Sequence, residues 1–168
     1  MARDITRGMD LILWRHAEAH DHPDLMSGRA GDEQDLRRRL TTKGEKQAAR
    51  MAAWLDRQLP DGARILCSPA VRCEQTAMAL GRKLRFRDEL LPERDPQSLL
   101  DLAQWPQGRS PVVLVGHQPT LGQVVARLLG LEQGVCSVRK GALWWLRYRE
   151  REGRSEAVLV TVQSPELL

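Results

Sequence analysis

At 168 residues, 42% apolar and 29% charged, the chain can form one domain with a real core and has neither the composition of a disordered segment nor an apolar run of membrane-spanning length. Its formal charge of +4 is carried by short basic runs, Arg37-Arg38-Arg39 and Arg147/Arg149/Arg151, with no long basic tail; a phosphorylated substrate is expected, and no nucleic acid and no membrane. Cys67, Cys73 and Cys136 form no disulfide framework and the first eight residues are polar, so reduced thiols and a cytoplasmic location are the expectation.

Residues 1–8 read as a loose extension and residues 9–168 as a single domain. The run 10–14 (DLILW) is a buried strand, followed at once by Arg15-His16. From His20 to Arg39 the chain is polar and contains glycine, a loop of the length that is usually functional or mobile. Thr42 with Glu45 forms a capping box for a helix opening near Lys43, with Ala48, Met51, Ala52, Leu55 and Leu59 as its apolar stripe.

A second strand, 63–67 (ARILC), leads into Ser68-Pro69, an N-cap with proline at the first helical position, and a helix from Pro69 to about Leu84. Asp95-Pro96 repeats that signal for a short helix through about Gln104. The run 111–115 (PVVLV) is the clearest buried strand, ends in Gly116-His117, and precedes a helix from about Pro119 to Leu129. Segments 142–148 and 157–163, joined by a charged turn containing Gly153, form a hairpin, and Trp144-Trp145 places one ring on each face of it. This alternation predicts an α/β fold, a three-layer sandwich in which helices flank a central mixed, mostly parallel sheet.

In such sheets ligands bind outside the carboxyl ends of the strands. Arg15, His16, Arg72 and His117 all fall there, although about a hundred positions separate the first from the last. Arginines suit the non-bridging oxygens of a phosphoryl group. A neutral imidazole can attack phosphorus and form a covalent intermediate, and a second imidazole, cationic beside the phosphate, can stabilise the transition state. A carboxylic acid would serve the leaving group and then the attacking water. The chemistry asks for no metal and no cofactor.

Four segments at compatible spacings carry a family resemblance. Leu13-Trp14-Arg15-His16-Ala17 resembles the RHG/RHA signature of the histidine phosphatase superfamily, and Leu40-Thr41-Thr42-Lys43-Gly44 is similar to its LTxxG segment. The run from Ser68 to Ala77 resembles SPxxRxxQTA, and Val115-Gly116-His117-Gln118-Pro119 resembles the second-histidine motif. Small size and the RHA form are most similar to the short SixA-like phosphohistidine phosphatases. The resemblance implies a phosphoglycerate mutase-like fold, His16 as nucleophile, His117 as second histidine, and Arg15 and Arg72 as phosphate clamps. It adds Glu93, in Leu91-Pro92-Glu93, as the acid, with Asp95, Glu18 and Asp21 as competitors, and it places Arg38 and Gln118 among the substrate-binding residues. Where the family has RPLT, this chain has Arg38-Arg39-Leu40-Thr41, which adds a charge near the mouth.

Rival readings are weaker. Cys67 and Arg72 resemble the ends of a cysteine-phosphatase loop, but four residues lie between them where that loop needs five, and proline replaces its glycines. His16, His20 and His22 lie in a loop without metal-ligand spacing. The expected activity is a metal-independent phosphatase working through phospho-His16 on phosphohistidine of a partner protein. The alternatives are a phosphatase of small phosphate monoesters and a phosphate-recognition module without turnover.

Overall fold

The computed structural model describes residues 7–168, and within them the central strands are the runs whose alternating side chains are apolar on both faces. Strand β1 (Arg7–Arg15) sends Ile12 and Trp14 to one side and Leu11 and Leu13 to the other, all fully buried. It is followed by a single helical turn, α1 (Glu33–Leu36), and by the long helix α2 (Thr42–Gln58). Next come β2 (Arg64–Cys67), α3 (Val71–Met78), β3 (Leu84–Phe86) and α4 (Pro96–Ala103). The chain then forms β4 (Val112–Gly116), α5 (Thr120–Leu129), β5 (Leu143–Arg151) and β6 (Arg154–Gln163). The extension expected over residues 1–8 falls mostly outside the described residues, which begin within β1.

The six strands form one sheet in the order β3-β2-β4-β1-β5-β6. The first four in that order run parallel, and the β5–β6 hairpin adds antiparallel to β1, giving the expected mixed sheet. Glu152 and Gly153 both take positive φ at the hairpin tip, as a two-residue turn that matches strand twist requires. Asp10 and Arg147 stand opposite each other on β1 and β5 and bond through both carboxylate oxygens at 2.6 and 3.0 Å.

Helices α2 and α3 cover one face over Ile12, Trp14, Ile65, Val113 and Val115; Ala48, Met51, Ala52 and Leu55 are the buried stripe of α2. Helices α4 and α5 cover the other over Leu11, Leu13, Leu66, Val112 and Leu114. Each fully buried leucine or valine contributes about 1.5–3 kcal/mol, so this double layer is what fixes the strand ends in space. Trp145 lies in the first layer edge-on to Trp54, with centroids 6.4 Å apart, while Trp144 is half-buried against the second.

Local outcomes differ from the sequence reading in four places. The N-cap of α2 is Thr41, accepting from the Gly44 amide at 3.0 Å, one residue before the expected Thr42. Helix α3 starts at Val71 with Ala70 as cap, two residues after the expected Ser68, whose hydroxyl accepts from the Ala70 amide at 3.3 Å and also meets His117 Nε2 at 2.9 Å. It ends at Met78 instead of running to residue 84, since Gly81 turns the chain at positive φ into β3, a three-residue edge strand. The 20–39 segment is not all loop, for Asp32 caps α1 by accepting from the Asp35 amide at 2.7 Å.

Candidate active site

Adjacent parallel strands β2, β4 and β1 end on the same edge of the sheet, and the next residue or two of each supplies Ser68, His117 and His16. Arg15 is the last residue of β1, paired in register with Gly116, and Arg72 comes down from the first turn of α3. His16, Arg72, His117 and Ser68 are all buried, and Arg15 is half-buried.

Hydrogen bonding assigns the tautomers. The Nδ1 of His16 lies 2.8 Å from the Ala17 carbonyl, which can only accept, so Nδ1 carries the proton and Nε2 keeps its lone pair. Arg72 Nε donates to that Nε2 at 3.3 Å, and Arg72 Nη2 donates to His117 Nδ1 at 3.3 Å. A guanidinium only donates, so His117 carries its proton on Nε2, which donates to Ser68 Oγ at 2.9 Å. The rings lie 5.4 Å apart and tilted by 57°. The lone pairs of both imidazoles and one edge of Arg72 therefore face a common point.

Burial, then the neighbouring His117, holds His16 well below the usual histidine range. Burial, then the charge of Arg72, pulls His117 down to about 3. Without an anion both rings are neutral: His16 is competent as a nucleophile, and the cationic His117 expected from sequence requires the charge of a bound phosphoryl group. Burial and the nearby Arg72 also lower Arg15. Its Nη1 donates to the Val138 carbonyl at 2.9 Å, while its Nε is buried with no partner among the described residues. An unsatisfied buried donor costs about 1–3 kcal/mol, which an anion accepting from it would recover.

Residues outside the chemistry hold these groups in place. Thr76 Oγ1 accepts from the Ala17 amide at 3.1 Å and donates to the Arg72 carbonyl at 2.7 Å, tying the nucleophile's loop to α3. Gln75 accepts from the Leu40 amide at 2.7 Å, and Gln47 accepts from the Glu18 amide at 3.0 Å. The Gln-Thr pair following Arg72 was visible as part of a motif; its task of pinning two separate loops was not.

The remaining expected residues divide. Arg38 reaches the site's border, donating to the His20 carbonyl at 2.6 Å and to Asp35 at 2.9 Å. Gln118 turns away from it: its amide accepts from Gly122 N at 2.6 Å and donates to the Cys136 carbonyl at 2.9 Å. Glu93 is exposed in a left-handed turn and bonds to neither histidine. Its loop borders the site, because the Arg94 carbonyl accepts from Thr120 Oγ1 at the start of α5 and Pro92 lies against Gly31 of the 20–39 loop. Asp95 caps α4 through the Gln97 amide, Glu18 accepts from Thr41 Oγ1 at 2.7 Å, and Asp21 is exposed.

Cys67 is fully buried and burial pushes its thiol up, as befits an apolar strand end and not a thiolate nucleophile. Among the described residues no group of three His, Cys, Asp or Glu side chains is placed to share a metal ion, and no helix is long and apolar enough to cross a membrane. Asp35, which sequence reasoning did not single out, lies behind Arg72 with its carboxylate 3.1 Å from Nη2.

Comparison with known proteins gives the family and the fold. The family model described as histidine phosphatase superfamily (branch 1) matches residues 11–98. The chain is 35% identical to the phosphohistidine phosphatase SixA of Escherichia coli over 128 residues, 71% of this chain and 74% of that one. A solved structure assigned to phosphohistidine phosphatase SixA of Nakamurella multipartitia superposes with a TM-score of 0.71 at 28% identity, over 95% of this chain and 97% of that one. The protein histidine phosphatase SixA in complex with tungstate shares the fold, with a TM-score of 0.71 at 24% identity over 95% and 99% of the two chains.

Proposed function

Because the chain belongs to the histidine phosphatase superfamily, we propose that it removes phosphoryl groups through a phosphohistidine formed on His16, and that its substrate is phosphohistidine on a partner protein. The observation that carries the reading is the convergence of His16 Nε2, His117 Nδ1 and the Nε/Nη2 edge of Arg72 on one point.

The phosphoryl group enters between the rings and takes the Arg72 donors from the two nitrogens, while Arg15 supplies its unpaired Nε. His16 Nε2 attacks phosphorus as the bond to the leaving atom breaks, and the leaving atom takes a proton, from Glu93 in an ester or from solvent in a phosphoramidate. His117, charged once the dianion is beside it, donates from Nδ1 to an equatorial oxygen, its other nitrogen steadied by Ser68. Water then attacks phosphorus, giving its proton to the Glu93 carboxylate or to solvent, as the bond to His16 breaks; phosphate leaves and His16 returns to its starting tautomer. The guanidinium and imidazolium charges do the neutralising that a metal ion does in other phosphatases, which supports metal independence. Glu93, on the turn bordering the mouth, serves as acid for ester substrates. A phosphoramidate depends on it less, because its leaving nitrogen is already basic.

The protein substrate is supported by the similarity to the phosphohistidine phosphatase SixA of Escherichia coli and by the near-complete mutual coverage with a SixA fold. Three free cysteines fit a reducing cytoplasm as its location. Single turnover of an aryl phosphate in chelator, quenched in alkali, tests the mechanism. We expect alkali-stable, acid-labile phosphate on wild type and on Cys67→Ser, and none on His16→Ala. Failure to label or turn over any phosphorylated substrate overturns the catalytic reading and leaves a phosphate-recognition module. Turnover of sugar phosphates but not of a phosphohistidine peptide overturns the protein substrate.

A further inference from the structure

The catalytic steps leave one buried charge without a task. Asp35 is 4% exposed, carried on α1 in the connection between β1 and α2. Its Oδ2 accepts from the Gly31 amide at 2.8 Å and from Arg72 Nη2 at 3.1 Å, and its Oδ1 accepts from Arg38 Nη1 at 2.9 Å. Its main-chain carbonyl accepts from Arg72 Nη1 at 2.7 Å. Burial alone would push this carboxyl up; the Gly31 amide, Arg38 and Arg72 outweigh it and hold the carboxyl below the usual carboxylate range.

Arg72 is thereby held by both edges. Nη1 and one Nη2 hydrogen go outward to Asp35, while Nε and the other Nη2 hydrogen go inward to His16 and His117. A guanidinium is a rigid plane, so two bonds on its outer edge determine where its inner edge points. Asp35 does not lie between the two histidines, the place a phosphoryl group takes. Its own position rests on the 20–39 segment: His22 bonds Asp32 at 2.9 Å, Asp32 caps the turn that carries Asp35, and Arg38 bridges Asp35 to the His20 carbonyl.

We propose that Asp35 is the positioning residue of the phosphate clamp: it aims the inner edge of Arg72 into the gap between the two imidazoles, and it makes that aim conditional on the 20–39 segment being seated. The inference rests on the phosphoryl site described above. It extends that site to a residue that meets no substrate atom.

The test is tungstate affinity by calorimetry, with kcat and KM for an aryl phosphate alongside, on wild type, Asp35→Ala, Asp35→Asn, Arg72→Lys and the double variant Asp35→Ala/Arg72→Lys. Misdirecting a clamp is expected to cost on the order of tenfold to a hundredfold in kcat. Asp35→Ala should show that loss, with weaker tungstate binding, and Asp35→Asn, which keeps an acceptor oxygen, should recover part of both. In the Arg72→Lys background, where a single ammonium has no edge to aim, adding Asp35→Ala should change tungstate affinity by less than about twofold.

Tighter tungstate binding by Asp35→Ala would overturn the proposal and make Asp35 a competing internal anion. Equal losses in both backgrounds would also overturn it, as would a lower melting temperature with unchanged kcat per folded molecule. If Asp35→Ala does not fold, Asp35→Asn against Arg72→Lys gives the same cycle. Tungstate binding needs no turnover, so failure of the phosphatase reading would show separately, as absent hydrolysis by wild type.

Discussion

The hydroxyl of Ser68 receives the Nε2 proton of His117 at 2.9 Å and the Ala70 amide at 3.3 Å, which leaves Nδ1 of that ring as the atom facing Arg72. Ser68 thus decides which nitrogen meets a phosphoryl oxygen, although it touches no substrate itself. Losing a hydrogen bond worth about 1–1.5 kcal/mol corresponds to roughly tenfold in rate. Ser68→Ala is therefore expected to lower kcat about tenfold with little change in KM, and nitrogen NMR of His117 should show mixed tautomers. A full kcat with an unchanged tautomer would refute this role. The sequence reading made Ser68 an N-cap because Ser-Pro before an apolar run carries that signal; it could not see the competing imidazole, 49 positions away.

At the scale of elements, the nucleophile's loop is seated by the first turn of α2. The Thr41 amide donates to the Glu18 carbonyl at 3.0 Å, and a Cβ on Gly44 would stand 1.9 Å from that same oxygen. Only glycine allows the helix to approach so closely. Gly44→Ala should destabilise the protein by about 1–3 kcal/mol, the usual cost of overpacking, and lower kcat as His16 is pushed from Arg72. Urea unfolding and steady-state kinetics on the same preparation check both, and an unchanged midpoint would contradict the packing argument. Elements with a continuous apolar run or stripe, β1, β4, α2 and α5, were legible in the sequence because their pattern is local. Strand β3 was not, since its three residues are half-buried or exposed and pair only at the sheet's border. Nor was α1, whose buried member, Asp35, is held by Arg72 37 positions onward. A charged residue sealed inside a polar loop leaves no apolar pattern to read.

For the whole molecule, the site's electrostatics set the response to acid. His16 and His117 are held neutral in the folded protein, the latter down to about 3, whereas in the unfolded chain they titrate near 6.5. Between those values the unfolded chain binds more protons, so stability is full above about pH 6.5 and is lost as pH falls toward about 3. Asp32 and Asp35, whose folded values are depressed, add a loss that sets in as pH falls through the ordinary carboxylate value of 3.8 and is complete only below their folded values. The slope between pH 6.5 and 4.5 therefore belongs to the imidazoles. Urea midpoints at pH 7.0, 5.5 and 4.5 should fall steadily in wild type and less steeply in His117→Asn; parallel slopes would place the effect elsewhere.

The pairing of Arg15 with Gly116 across β1 and β4 has a consequence for how such a site can change. His16 and His117 are the next residues on neighbouring parallel strands, and their rings stand 5.4 Å apart, close to the roughly 4.8 Å that separates any two paired strands. The gap that receives phosphorus is thus set first by the spacing of the sheet, across which Arg72 and Ser68 then hold the two rings. Substitutions around the rim can alter what enters while leaving the strand spacing unchanged, whereas a residue inserted into or deleted from either strand alters the register itself. Such an indel would turn one ring to the opposite face and abolish the site in a single step.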